Sequence, residues 1–116
     1  MKRLLPLLFI LSFESFASKV PNLTCSIEKV VFIDPVKLES KKSDSSNIYR
    51  FFNDDFYISA VDRQEYLYGK LENIEYLRFN VGHKTIIFDS NNFDNALIVH
   101  TNNDEVRVSR VRCVRN

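Results

Sequence analysis

Glycine and proline are scarce, with two Gly and three Pro in 116 residues. That scarcity excludes a flexible Gly/Ser linker, a Pro-rich spacer and a collagen-like repeat. Two glycines also cannot build a phosphate-cradling Gly-rich loop. Tryptophan is absent, and histidine occurs only at His83 and His100. With two cysteines far apart, no Cys/His cluster is spaced for a metal, and no cofactor is implied. A buried nucleophile–base–orienter set is not legible around either histidine, so the chain reads as a protein that is not an enzyme.

An excess of one charge sign is missing as well: 16 Lys and Arg stand against 15 Asp and Glu. The ends of the chain are less balanced. Lys2 and Arg3 precede the apolar run LLPLLFILSF at 4–13, and Ser15-Phe16-Ala17 follows with small residues at the −3 and −1 positions. Basic, then apolar, then small is the order of a secretory signal peptide, assigned to residues 1–17. The run is shorter than the roughly 20 residues needed to span a bilayer. Cys25 lies too far past Ala17 to carry a lipid, so no stable membrane anchor is expected. Removing Lys2, Arg3 and Glu14 leaves 14 basic and 14 acidic residues. A neutral exported domain at 18–116, periplasmic or extracellular, is a poor candidate for nucleic acid.

In an exported chain, Cys25 and Cys113 are expected to form one structural disulfide. A redox pair would want a CxxC spacing.

What is abundant is short strands. In YLYGKLENIEYLRFNVGHKTIIF at 66–88, Gly82-His83 suits a type II′ turn that pairs Phe79 with Ile86, Leu77 with Phe88, and Asn80 with Thr85. A second turn at Glu72-Asn73 would pair Lys70 with Glu75, Gly69 with Tyr76, and Tyr68 with Leu77. Residues 22–33 form a first strand, bent or doubly buried at Val30-Val31-Phe32-Ile33. Residues 48–61 fold about Asn53-Asp54, setting Phe51 opposite Phe56 and Arg50 opposite Tyr57. A turn at Asn102-Asn103 would pair Val99 with Val106 and Leu97 with Val108 on the inner face, with His100 and Arg107 outside. A shift near Ser109-Arg110 would then bring Val111 and Cys113 inward. Residues 35–47 read equally as two helical turns begun by Asp34-Pro35 or as a polar loop. The fold class is therefore all-β: a small antiparallel meander of about eight strands. Its expected form is a closed or nearly closed up-and-down barrel, with a two-layer sandwich as the alternative. The disulfide would join its first and last strands.

Two groups of residues are candidates for binding. Arg107, Arg110 and Arg112 crowd the last strand, with Arg78 on an adjacent outer face. They form either a docking stripe for a protein or anionic glycan, or edge charges that prevent aggregation. Tyr66 and Tyr68 point inward in this register and would line a ligand cavity or cap a filled core. The leading expectation is an exported, non-enzymatic protein that binds a protein or glycan surface, inhibition included. The alternative is a carrier of a small apolar ligand in the manner of the lipocalins.

Overall fold

Among the described residues, ten strands make one antiparallel sheet: β1 (Leu23–Asp34), β2 (Glu39–Ser43), β3 (Ile48–Phe52), β4 (Asp55–Ala60), β5 (Arg63–Lys70), β6 (Glu72–Glu75), β7 (Arg78–Val81), β8 (Lys84–Phe88), β9 (Asn95–Thr101) and β10 (Val106–Arg115). The computed structural model describes residues 19–34, 39–43, 47–60, 63–103 and 105–116, with backbone alone for 39–43. The signal peptide expected at 1–17 lies outside the described residues. Nine strands follow one path, β5-β4-β3-β1-β10-β9-β8-β7-β6, and β2 lies beside β1.

The sheet curls into a half-barrel. First and last strands are adjacent, with Leu23 opposite Arg115 at one end and Ile33 opposite Val106 at the other. Cys25 faces Cys113 in that ladder, and the two are bonded with their Cα atoms 4.0 Å apart. The ring of neighbours is interrupted between β5 and β6, which stand at opposite ends of the path although only Leu71 separates them in the chain. Among the described residues one curled sheet supplies both walls, in place of a two-layer sandwich.

The interior explains the curl. Tyr49 and Phe56 stack at 5.4 Å, and Phe51 sits 5.0 Å from Phe56. Phe51 also reaches Phe88 on the distant strand β8 at 5.6 Å, and Phe88 meets Phe79 and Phe93. These rings are all buried. Burying each such side chain stabilises the fold by about 1.5–3 kcal/mol, which favours a sheet that wraps its rings over a flat one.

Two hairpins follow from their turn residues. Asn53 and Asp54 both take positive φ, at 50° and 68°, as a type I′ turn requires. Phe51 then faces Phe56, and Arg50 faces Tyr57. At the other turn Gly82 has φ 58° while His83 does not enter the positive region, the II′ pattern. Phe79 faces Ile86 and Asn80 faces Thr85, whose hydroxyl donates to the Asn80 side chain at 3.0 Å. The Phe88 N–H donates to the Leu77 carbonyl at 2.9 Å, so Leu77 lies beside Phe88 as expected.

Three expectations are corrected. The turn at Glu72-Asn73 does not form, and neither do its pairs. The Leu71 N–H donates to the Asp54 carbonyl at 2.7 Å, holding β5 along β4 to its end. The chain turns instead at Tyr76-Leu77, with Leu77 at φ 63°. There the Asn73 amide donates to the carbonyls of Glu75 and Arg78 at 2.8 and 3.1 Å. The connection between β9 and β10 is not a two-residue turn at Asn102-Asn103. The Asn102 N–H donates to the Glu105 carbonyl at 3.1 Å, and the Glu105 N–H donates back to the Asn102 side chain at 2.8 Å. Val106 therefore faces Thr101 and Val108 faces Val99, and no shift occurs along β10 against β9. The irregularity lies in β1, between Ile27 and Lys29, and bends the strand just before Val30-Val31. Finally, 39–43 is neither helix nor loop. It pairs with Val30 to Asp34, an edge that β3 leaves open because it pairs only with Leu23 to Ser26. Residues 35–38, where the helix would begin, lie outside the described residues.

Candidate functional site

The altered register of β9 and β10 decides where the arginines go. With no shift in β10, alternate residues point to opposite faces. Ser109, Val111 and Cys113 are buried, so Arg107 belongs to their side, while Arg110 and Arg112 point outward and are exposed. The expected stripe is thus divided. Arg107 faces His100 on one side and Phe32 on the other, with its guanidinium 6.0 Å from the Phe32 ring.

On the outer face, one lateral row crosses five strands: Lys29, Arg110, Leu97, Ile87 and Arg78. Arg78 and Arg110 sit three strand spacings apart, about 14 Å, with two aliphatic side chains between them. Arg78 is paired with Glu75 at 3.0 Å, and Arg112 approaches Glu28 at 3.9 Å. Among the described residues, no carboxylate pairs with Arg110. A groove of about 460 Å³ runs past Glu28, Asp89, Ile87, Leu97 and Arg110. A smaller one of about 130 Å³ lies against Val31, Val108, Leu97 and Arg110. Leu97 and Arg110 border both. Leu97, expected inside, is 38% exposed, and Ile98 fills the interior instead.

The tyrosines do not line a cavity together. Tyr66 faces Ile58 across β4 and β5, but β5 is the open edge of the half-barrel and leaves Tyr66 40% exposed. Tyr68 falls at the register shift between Leu67 and Gly69 and folds over the core. Its ring meets Phe56 edge-on at 6.0 Å, and its hydroxyl accepts from the His83 N–H at 3.4 Å.

The least expected group is Lys84. Its side chain is in phase with Ile86 and Phe88 on the inner face and is only 3% exposed. Nζ lies 3.1 Å from His100 Nδ1 and 5.3 Å from the centre of the Tyr68 ring. Burial pushes the Lys84 amine down to about 8, and the charge of Arg107 adds to the effect. His100 is held below the usual imidazole range, chiefly by burial and then by Lys84, Arg107 and His83. His83 completes the group, its ring 6.4 Å from that of His100. The sequence carried one signal for this cluster: a lysine at core parity in a hairpin whose register was already fixed.

Compared with known proteins, the chain matches no family model, no curated sequence and no solved structure.

Proposed function

We propose that the protein is an exported, non-enzymatic binding domain that engages a protein partner through the outer face of β1, β10, β9 and β8. The observation that carries this reading is the pair of grooves sharing Leu97 and Arg110, where an aliphatic floor adjoins a guanidinium that no carboxylate of the described residues pairs with, Glu28 and Asp89 lining the larger groove without reaching it. An aliphatic side chain beside a carboxylate on the partner satisfies both features, since Arg binds carboxylates in a fork geometry. The outward side chains of this row carry no aromatic ring on which a sugar would stack, which favours protein over glycan. Export is supported by the Cys25–Cys113 bond, which persists in oxidising compartments. The rings packed through the interior favour a surface binder over a carrier of a small apolar ligand.

The test is capture from the exported compartment with wild type, Arg110→Glu, Leu97→Asp and, as control, Lys70→Glu on the far strand β5. The reading expects one protein held by wild type and the control but lost with both groove variants. The purified protein should rebind wild type more weakly as salt rises. An identical captured set for all four would refute it. All three positions are exposed, so near-UV circular dichroism should confirm unchanged folds.

A further inference from the structure

At one end of the half-barrel the fold gathers basic groups that no counter-charge among the described residues pairs with. Lys84 faces His100 across β8 and β9, and His100 faces Arg107 across β9 and β10. His83 leans over His100 from the turn before β8. The strands and loops packed here contribute Tyr68, Thr101, Asn102 and Asn103. Among the described residues, no carboxylate pairs with Lys84 or Arg107. The amine of Lys84 can donate three hydrogen bonds, and His100 is its only hydrogen-bond partner among the described residues. A buried cation in this condition is costly unless it gains a counter-charge or loses its proton.

Beside the cluster opens a groove of about 400 Å³ lined by His83, Thr101, Asn102 and Asn103. Its rim offers an imidazole, a hydroxyl and two side-chain amides, groups that donate hydrogen bonds without adding negative charge. His83 belongs to both the groove and the basic cluster, and positive charge at one wall with neutral donors around describes a receptor for an anion. A metal cation would meet the two imidazoles but also Lys84 and Arg107, which repel it. The described residues hold no group of three or more His, Cys, Asp or Glu placed for a metal.

We propose that His83, Lys84, His100 and Arg107 form a binding site for a small tetrahedral oxyanion, phosphate or sulfate, taken free or as the terminal monoester of a larger molecule. The anion sits in the groove against His83 and Thr101, and the charges of Lys84 and Arg107 attract it from the adjoining cluster. It supplies the missing counter-charge, so its binding draws protons onto Lys84 and His100. This site lies apart from the Arg110 groove and stands whether or not that surface binds a protein.

The experiment follows the histidine ring resonances of the oxidised mature chain by NMR, at neutral pH and fixed ionic strength held with chloride. Inorganic phosphate, inorganic sulfate and phenyl phosphate are added in turn. Saturable shifts at His83 and His100 are expected, together with a raised apparent pKa of His100 in the presence of phosphate. Affinity should fall about tenfold or more in Lys84→Met, which removes an attracting charge, and also in His83→Ala, which removes a contact. Arg112→Gln, on the outer face, should bind as wild type. Tighter binding of phenyl phosphate than of phosphate assigns the site to monoesters, and the reverse order to the free ion. Shifts that grow without saturation, or affinities unchanged in both Lys84→Met and His83→Ala, would overturn the proposal. His83 is exposed at a turn, so its variant tests the site even if Lys84→Met folds poorly.

Discussion

Gly69 on β5 lies against Val81 on β7, so close that a Cβ built on the glycine would stand 2.9 Å from Val81 Cγ2. These strands are not neighbours in the ladder, and their contact draws the free edge of β5 over the interior. Val81 is buried and β-branched, so it has little freedom to swing aside. Gly69→Ala should therefore destabilise the fold by about 1–3 kcal/mol, the usual result of overpacking. Urea unfolding followed by far-UV circular dichroism measures this. Unchanged stability would mean the β5 edge is not held against β7.

The disulfide should contribute more. It joins residues 88 apart in sequence, and both sulfurs are buried between the first and last strands. In the chain-entropy treatment, closing a loop of that size is worth about 4–5 kcal/mol. Replacing both cysteines with Ala should lower the thermal midpoint markedly, and reductant should do the same to wild type. A midpoint insensitive to both would show that the β1–β10 ladder holds without the bond.

The structure separates what local chemistry could reveal from what it could not. The turns at Asn53-Asp54 and Gly82-His83 were legible because their residues prefer the φ values those turns require. Glu72-Asn73 resembled a turn only in composition. The bond from Leu71 to Asp54 is long-range, and no local pattern announces it. The faces of β9 were misread because NALIVHT is apolar on both sides: Leu97 and Val99 compete with Ala96 and Ile98. Only the ladders to β8 and β10, with Asn102 and Glu105 bonded to each other, settle which pair goes inside. That one choice moved Arg107 away from Arg110 and Arg112 and brought His100 to Lys84.

Asp54 tests the turn chemistry directly. It occupies the second central position of a type I′ turn at φ 68°, where glycine is favoured. Its bond to Leu71 uses the backbone carbonyl, which a substitution retains. Asp54→Gly should leave stability unchanged or raise it by up to about 1 kcal/mol, since relief of left-handed strain offsets the added freedom of the unfolded chain. A clear loss would show that the Asp54 side chain contributes to the hairpin.

Lys84 gives the sharpest expectation, because the fold holds it against its own stability. The folded-state pKa, about 8, lies below the ordinary 10.5. Between those values the unfolded chain binds the extra proton, so stability rises with pH from about 8 to 10.5, and below 8 the full penalty is present. A shift of this size corresponds to about 3 kcal/mol. His100 acts in the same sense lower down: its pKa is depressed from 6.5, so stability falls as pH drops below that value. Lys84→Met keeps the aliphatic stem and removes the charge. In phosphate-free buffer at neutral pH the variant should be more stable than wild type by about 2–3 kcal/mol, less whatever the bond to His100 contributes. The difference should shrink as pH rises from 8 towards 10.5, and the acid loss should soften because His100 no longer faces a buried ammonium. Urea unfolding at several pH values, read by far-UV circular dichroism, measures both curves. A Lys84→Met protein less stable than wild type at neutral pH, with a difference constant across the range, would mean the amine is stabilised where it lies and carries no unmet charge.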